Sequence, residues 1–166
     1  MQNLNERGAA YIPIAKQGVL RRILIMPEFT AISIQEVTAG QNVLFTETPV
    51  KCTTGNVFHR DGSGIATLRG ITNQCRARYR VSFGGNIAVP TGGTAGAISI
   101  ALAISGEALP ASTATVTPAA VNEYFNVSID TFIDVPRGCC VTVSVKNVNA
   151  VPINVQNANM IITREA

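Results

Sequence analysis

The stretch GGNIAVPTGGTAG at residues 84–96 is the first feature that suggests a chemistry, because glycine-rich loops behind strands often bind phosphate. Such loops carry the pattern G-x-x-x-x-G-K-[ST] or G-x-G-x-x-G, followed by a helix. Neither pattern is present, and residues 97–104, AISIALAI, have the composition of a strand. We therefore predict a turn between strands, with residues 87–89 extending the preceding strand up to Pro90. No nucleotide or other cofactor is expected.

Groups for acid–base or nucleophilic catalysis are scarce. The chain has one histidine, His59, and Asp61 and Ser63 lie too close to it, across a predicted hairpin tip, to converge as a triad. Asp130 and Asp134 share one side of a predicted strand, which separates them by about 13 Å. That spacing exceeds the carboxylate separations of glycoside hydrolases. We predict no catalytic residues and a protein that is not an enzyme.

The four cysteines, Cys52, Cys75, Cys139 and Cys140, do not have the C-x₂₋₄-C spacing of a structural zinc site. They could still meet His59 in space, but no metal site is expected. Two of them are adjacent, and a disulfide between neighbours is strained, so the pattern argues against a disulfide framework. We predict buried free thiols.

Composition points to a surface that other proteins cover. Hydrophobic residues make up 46% and charged residues 14% of the 166, against about 25% charged in a typical soluble domain. No apolar run approaches the length of a membrane span, so no membrane partner is expected. The first 83 residues are basic, which suits an acidic protein surface or nucleic acid. They lack the aromatic interleaving of nucleic-acid grooves, so no direct nucleic-acid contact is expected.

Alternating apolar and polar residues predict an all-β chain. In CRARYRVSF (75–83) the odd positions form an apolar face, and the opposite face carries three arginines. The DGSG segment at 61–64 predicts a hairpin. About nine or ten short strands separated by turns describe a sandwich or barrel. Residues 1–29 show no sustained period and are predicted to form an N-terminal arm ahead of a folded domain at 30–166.

From about Thr30 onward the succession of strands resembles the tumour-necrosis-factor-like jelly roll, with the bacterial and bacteriophage branch as the nearest form. The resemblance rests on the order and spacing of five stretches: GQNVLFTETPV, RYRVSFGGNIAV, ISIALAISGEALPAST, IDVPRGCCVTVSVKN and NVQNANMIITR. It implies a two-sheet antiparallel jelly-roll sandwich that forms a compact homotrimer without enzymatic activity. The chain has no Gly-X-Y repeat, which argues against the collagen-like exosporium stalk.

The resemblance also implies a function. Similar phage domains decorate capsids or form head fibres, so we predict a trimeric virion protein, assembled in host cytoplasm and attached to the major capsid protein or another virion protein by its arm. The alternative is a fibre-tip or surface module that binds a host receptor or glycan. Its candidate loops, residues 84–96 and 105–120, contain no aromatic residue for sugar stacking. The capsid-anchor candidates are Leu20, Arg21, Arg22, Ile23, Leu24 and Ile25. The trimer-interface candidates are Tyr79, Phe83, Tyr124, Phe125, Val155 and Met160; these residues, and Phe132, are ambiguous between core packing and trimer contact.

Overall fold

The computed structural model describes residues 26–166, which form twelve strands, one 3₁₀ turn at Pro110–Ser112 and, within this range, no α-helix. No helix in this range is long and apolar enough to cross a bilayer. The all-β prediction is confirmed. The strands are β1 Glu28–Ala31, β2 Gln35–Val37, β3 Glu47–Val50, β4 Val57–His59, β5 Ile65–Arg69, β6 Arg76–Ala88, β7 Ile98–Ile104, β8 Glu107–Ala108, β9 Ala114–Val116, β10 Phe125–Pro136, β11 Cys140–Asn147 and β12 Ile153–Arg164.

The strands form two antiparallel six-stranded sheets. The first sheet has the order β10-β6-β12-β1-β3, with β2 also paired to β12. The second sheet has the order β4-β5-β11-β7-β8, with β9 paired to β7. The inward side chains of both sheets form one apolar core between them. The predicted jelly-roll sandwich of two antiparallel sheets is therefore confirmed.

β6 is an interior strand of the first sheet, between β10 and β12, and its sequence alternation separates a buried face from an exposed one. Ala77, Tyr79 and Val81 are fully buried, whereas the arginines between them are exposed. The Tyr79 hydroxyl donates to the carbonyl oxygen of Arg69 at 2.6 Å and to that of Asn56 at 3.3 Å. β6 thus contributes buried side chains to the core, and its Tyr79 hydroxyl hydrogen-bonds the end of β5 in the other sheet.

The glycine-rich stretch divides into a strand and a turn. β6 continues through residues 84–88, so the predicted extension at Ile87 and Ala88 is confirmed, while Val89 already belongs to the turn. Gly85 packs tightly, because an added Cβ would lie 3.1 Å from Cζ of the buried Phe83 ring, which would have to shift by a few tenths of an ångström. The predicted hairpin across residues 61–64 is also present, with β4 and β5 antiparallel and Gly62 at φ +84°.

The registers define two ends of the sandwich. Glu28 lies opposite Val50 and Ile161, Pro136 opposite Arg76, and Cys140 opposite Arg69. We call the end formed by these residues the terminal pole; it comprises residues 50–56, 69–76, 136–140 and 164–166. The other end, the loop pole, comprises residues 38–41, 89–97, 117–124 and 148–152. The described chain therefore begins at the terminal pole, and the anchor candidates at 20–25 lie outside the described residues.

Candidate functional site

The solvent face of the first sheet carries a row of ion pairs between β6 and β10. Asp134 accepts from Arg78 Nε at 2.7 Å and from Arg76 Nη1 at 3.1 Å. Asp130 accepts from Arg80 Nε at 3.0 Å and from the Ser82 hydroxyl at 3.2 Å. Cross-strand register produces these pairs, since Asp134 lies directly opposite Arg78 and Asp130 opposite Ser82.

The arginines hold both carboxyl groups in their charged form. The hydrogen bond from Arg78, opposed by desolvation and helped by Arg76, lowers the pKa of Asp134 to about 2. The hydrogen bond from Arg80 likewise lowers the pKa of Asp130. A face whose carboxylates are paired within the chain does not need an external cation at these positions.

Phe132 stands between the two ion-paired aspartates on β10. Its side chain is 62% exposed, and it lies midway along β10, the edge strand of the first sheet, opposite Arg80 on β6. Scattered exposed apolar residues are common, but aromatic residues and arginine are enriched in protein interfaces relative to the rest of the surface. Phe132 is therefore the strongest candidate on this face for an anchor residue.

The side chains at the middle of the same face are small or uncharged. Gly84 lies between Ser128 on β10 and Asn159 on β12, and an added Cβ there would meet no atom within 4 Å. The next outward residues on β6 and β10 carry amide side chains, and Asn126 Nδ2 donates to Asn86 Oδ1 at 3.1 Å. The face therefore has a shallow hollow at Gly84, bordered by groups that can donate and accept hydrogen bonds.

Most of the predicted trimer-interface residues are core residues. Tyr79, Val155 and Met160 are fully buried and Phe83 is 2% exposed, so these four side chains are inaccessible to a second copy. Tyr124 is half-buried and Phe125 is 36% exposed, at the loop-pole end of β10. Phe132, which sequence left ambiguous between core and contact, is instead well exposed. Its shared side of β10 with Asp130 and Asp134 is the sequence signal that could have identified it.

His59 is a packed residue of the sandwich edge. Its ring lies 4.3 Å from the Phe29 ring, and its Nε2 donates to the Ser63 carbonyl oxygen at 3.0 Å. The Ser63 hydroxyl instead accepts from the Ile65 amide at 3.0 Å. The Asp61 carboxylate accepts from the Thr48 hydroxyl at 2.5 Å. His59, Asp61 and Ser63 are neighbours, but their side chains do not form a nucleophile, base and orienting group.

The cysteines are free, as predicted, but the prediction that they are buried is wrong. Cys75, Cys139 and Cys140 are exposed, and Cys52 is half-buried. The physical reason is that all four lie at the terminal pole, where the strand alternation ends. Burial raises the pKa of the Cys52 thiol, but the Thr54 hydroxyl and nearby backbone amides have the opposite and larger effect, so its pKa is lowered. Among residues 26–166, no group of three or more potential ligands is placed to hold a metal ion.

The turn that begins at Val89 lines a cavity at the loop pole. The cavity has a volume of about 450 Å³, and residues 89–94, Glu36, Val151 and Pro152 line it. Its walls are aliphatic side chains, threonine hydroxyls and glycine backbone, with no aromatic ring. This composition does not favour the stacking on which sugar binding commonly relies.

Solved structures resemble this chain, whereas neither a family model nor a curated protein sequence matches it. One is the globular domain of zebrafish complement 1qA protein, with a TM-score of 0.56 and 11% identity over 83% of this chain and 94% of that one. Another is Eiger TNF from S. frugiperda, with a TM-score of 0.64 and 9% identity over 86% and 92%. At such identities the likeness concerns the fold. The chain therefore has the jelly-roll fold of tumour-necrosis-factor and C1q domains.

Proposed function

We propose that this chain is a non-enzymatic structural protein that assembles as a homotrimer through the solvent face of its first sheet. The observation that carries the proposal is Phe132, an aromatic ring 62% exposed between two aspartates that are already paired with arginines. Trimeric assembly of domains with this fold lends support. The low charged fraction of 14% also favours a surface that is partly covered.

A contact centred on Phe132 would not leave the neighbouring Asp130 and Asp134 unpaired. The aspartates on the face keep their arginine partners when water is removed, so the main cost of burying carboxylates is reduced. The hollow at Gly84 admits a side chain from a neighbouring copy, and the surrounding amides and hydroxyls can hydrogen-bond across the contact. A cyclic arrangement of three copies closes on itself and leaves no open surface for further growth.

We further propose that the trimer is a virion component, a capsid decoration or head-fibre protein held to the shell by its N-terminal arm. The support is the resemblance of the strand motifs to the phage branch of the family. Residues 20–25 combine two arginines with four apolar residues, which suits a groove rimmed by carboxylates. Three arms on one trimer would bind together with an avidity about 10² to 10⁴ above that of a single arm.

Gly84→Arg tests the assembly face without relying on core damage. The added side chain meets no atom within 4 Å at its Cβ and requires no unusual φ, so the single chain should fold normally. We expect a folded monomer by circular dichroism and light scattering, because the arginine fills the hollow that a neighbour would occupy. Ile65→Arg, at an exposed position on β5 of the second sheet, is the matched control and should assemble normally. A fully assembled Gly84→Arg variant would exclude this face.

A further inference from the structure

Charge is distributed unequally between the two poles of the sandwich. The terminal pole carries five basic residues, Lys51, Arg69, Arg76, Arg137 and Arg164, against three acidic residues, Glu28, Asp134 and Glu165. The loop pole carries Glu123, and Glu36 and Lys146 lie near it; no basic residue lies in its four described loops. The molecule is therefore basic at the end where the described chain begins and weakly acidic at the opposite end.

Three of the basic residues at the terminal pole are available to a partner. Lys51, Arg69 and Arg137 are exposed, and no carboxylate of residues 26–166 lies within 4 Å of their charged groups. Arg76 is 63% exposed and shares Asp134 with Arg78. Three side chains thus present unpaired cationic groups around one end of the sandwich, on loops and strand ends that β6, β5 and β10 hold in place.

The sequence that precedes the described residues is also basic. Residues 1–25 contain four basic residues and one acidic residue in the sequence. They join the sandwich next to Glu28, on the same end as the three unpaired cations. An arm and a pole with the same sign of charge, contiguous along the chain, suit one acidic partner surface.

We propose that the terminal pole is a docking surface for an acidic, carboxylate-rich protein surface, and that the loop pole faces away from it. The inference deepens the proposed function and rests on it, since a cyclic trimer places all three terminal poles on one side. The guanidinium groups of Arg69 and Arg137 can each bind a carboxylate with two hydrogen bonds, which gives orientation as well as attraction.

A folded acidic surface fits this pole better than a nucleic acid does. Asp134 and Glu165 lie among the cations and interrupt the continuous basic track that a phosphate backbone follows. Separate cations at fixed positions match separate carboxylates at fixed positions. Nucleic-acid binding is the competing outcome of the test below.

Poly-L-glutamate and a duplex DNA of about 30 base pairs serve as the two probes for the full-length protein. We expect poly-L-glutamate to bind more tightly than DNA at equal ionic strength, and its binding to weaken as salt is added. The variant Arg69→Glu/Arg137→Glu should bind poly-L-glutamate about tenfold or more weakly, because both the attraction and the bidentate contacts are lost. The control Arg60→Glu/Lys146→Glu makes the same change in net charge away from the terminal pole and should bind like the wild type.

Three outcomes would overturn the inference. Equal losses in the two double variants would mean that net charge, and not the pole, governs binding. Retention of full binding by Arg69→Glu/Arg137→Glu would exclude the pole. Tighter binding of DNA would assign the pole to nucleic acid. Light scattering on the same samples tests the proposed trimer independently of the docking surface. A monomer that still shows pole-dependent binding would refute the trimer alone. A trimer without pole-dependent binding would refute the docking surface alone.

Discussion

Phe132→Ser is the substitution that should most affect assembly while leaving the fold intact. The ring is 62% exposed in the single chain. A phenylalanine side chain has about 200 Å² of surface, so roughly 125 Å² of ring is available for burial against a neighbour. At about 25 cal/mol per Å², burial of that area contributes about 3 kcal/mol per copy.

The effect on assembly is large because it occurs three times in a trimer. Loss of three such contacts raises the free energy of the trimer by about 9 kcal/mol, or between six and seven decades in the association constant. The midpoint concentration of a monomer–trimer equilibrium varies as the square root of that constant. We therefore expect the midpoint to rise on the order of a thousandfold. The unfolding of the monomer should change by no more than about 0.5 kcal/mol, since the ring is solvated there.

Sedimentation velocity over a dilution series from nanomolar to high micromolar measures this midpoint. Phe58→Ser is the matched control, because Phe58 is 58% exposed on β4 of the second sheet and should not affect assembly. An unchanged midpoint for Phe132→Ser would refute the assignment of this ring to the contact. Equal shifts for both substitutions would show that general surface hydrophobicity, and not this face, drives association.

Three further outcomes are expected. Tyr79→Phe should destabilise the fold by about 1–2 kcal/mol in chemical denaturation, because the partly buried hydrogen bond from its hydroxyl to the Arg69 carbonyl oxygen is lost. A loss below 0.3 kcal/mol would contradict that role. The folded-state pKa of Asp134 is lowered to about 2 from 3.8. The stabilising contribution of its carboxylate is therefore present above pH 4 and should be lost as the pH falls toward 2. Asp134→Asn should reduce this loss of stability in acid, as measured by thermal melting at different pH values. Deletion of residues 2–25 should preserve trimer assembly, as judged by light scattering, and should abolish co-sedimentation with the virion shell to which the arm is proposed to bind. Unchanged occupancy of the shell would exclude the arm as the anchor.

The fold was predictable because its signals are local. The alternation in residues 75–83 determines which face of β6 is buried, and the Asp-Gly pair at 61–62 determines a hairpin. Cys75 shows where such reasoning ends: its position in the alternation predicts burial, but β6 begins at Arg76 and the thiol is exposed. Strand ends depend on pairing with distant segments, which alternation does not report.

The candidate site was less predictable because it depends on register between distant strands. Arg78 and Asp134 are 56 residues apart, and only the pairing of β6 with β10 makes them neighbours. Tyr79 and Val155 are apolar or aromatic residues on inward faces, so residue type alone does not distinguish core from contact. The clustering of Lys51, Arg69 and Arg137 at one pole likewise follows from strand direction, since these residues lie in three separate parts of the sequence.

The central claim is that the chain assembles as a homotrimer, and the molar mass of the full-length protein in solution tests it most directly. One chain has a mass of 17.5 kDa. Size-exclusion chromatography with multi-angle light scattering at micromolar concentration should give three times that mass in a single symmetric peak. A mass of one chain that persists at the highest attainable concentration would contradict the account, and a mass of two chains would contradict the threefold arrangement.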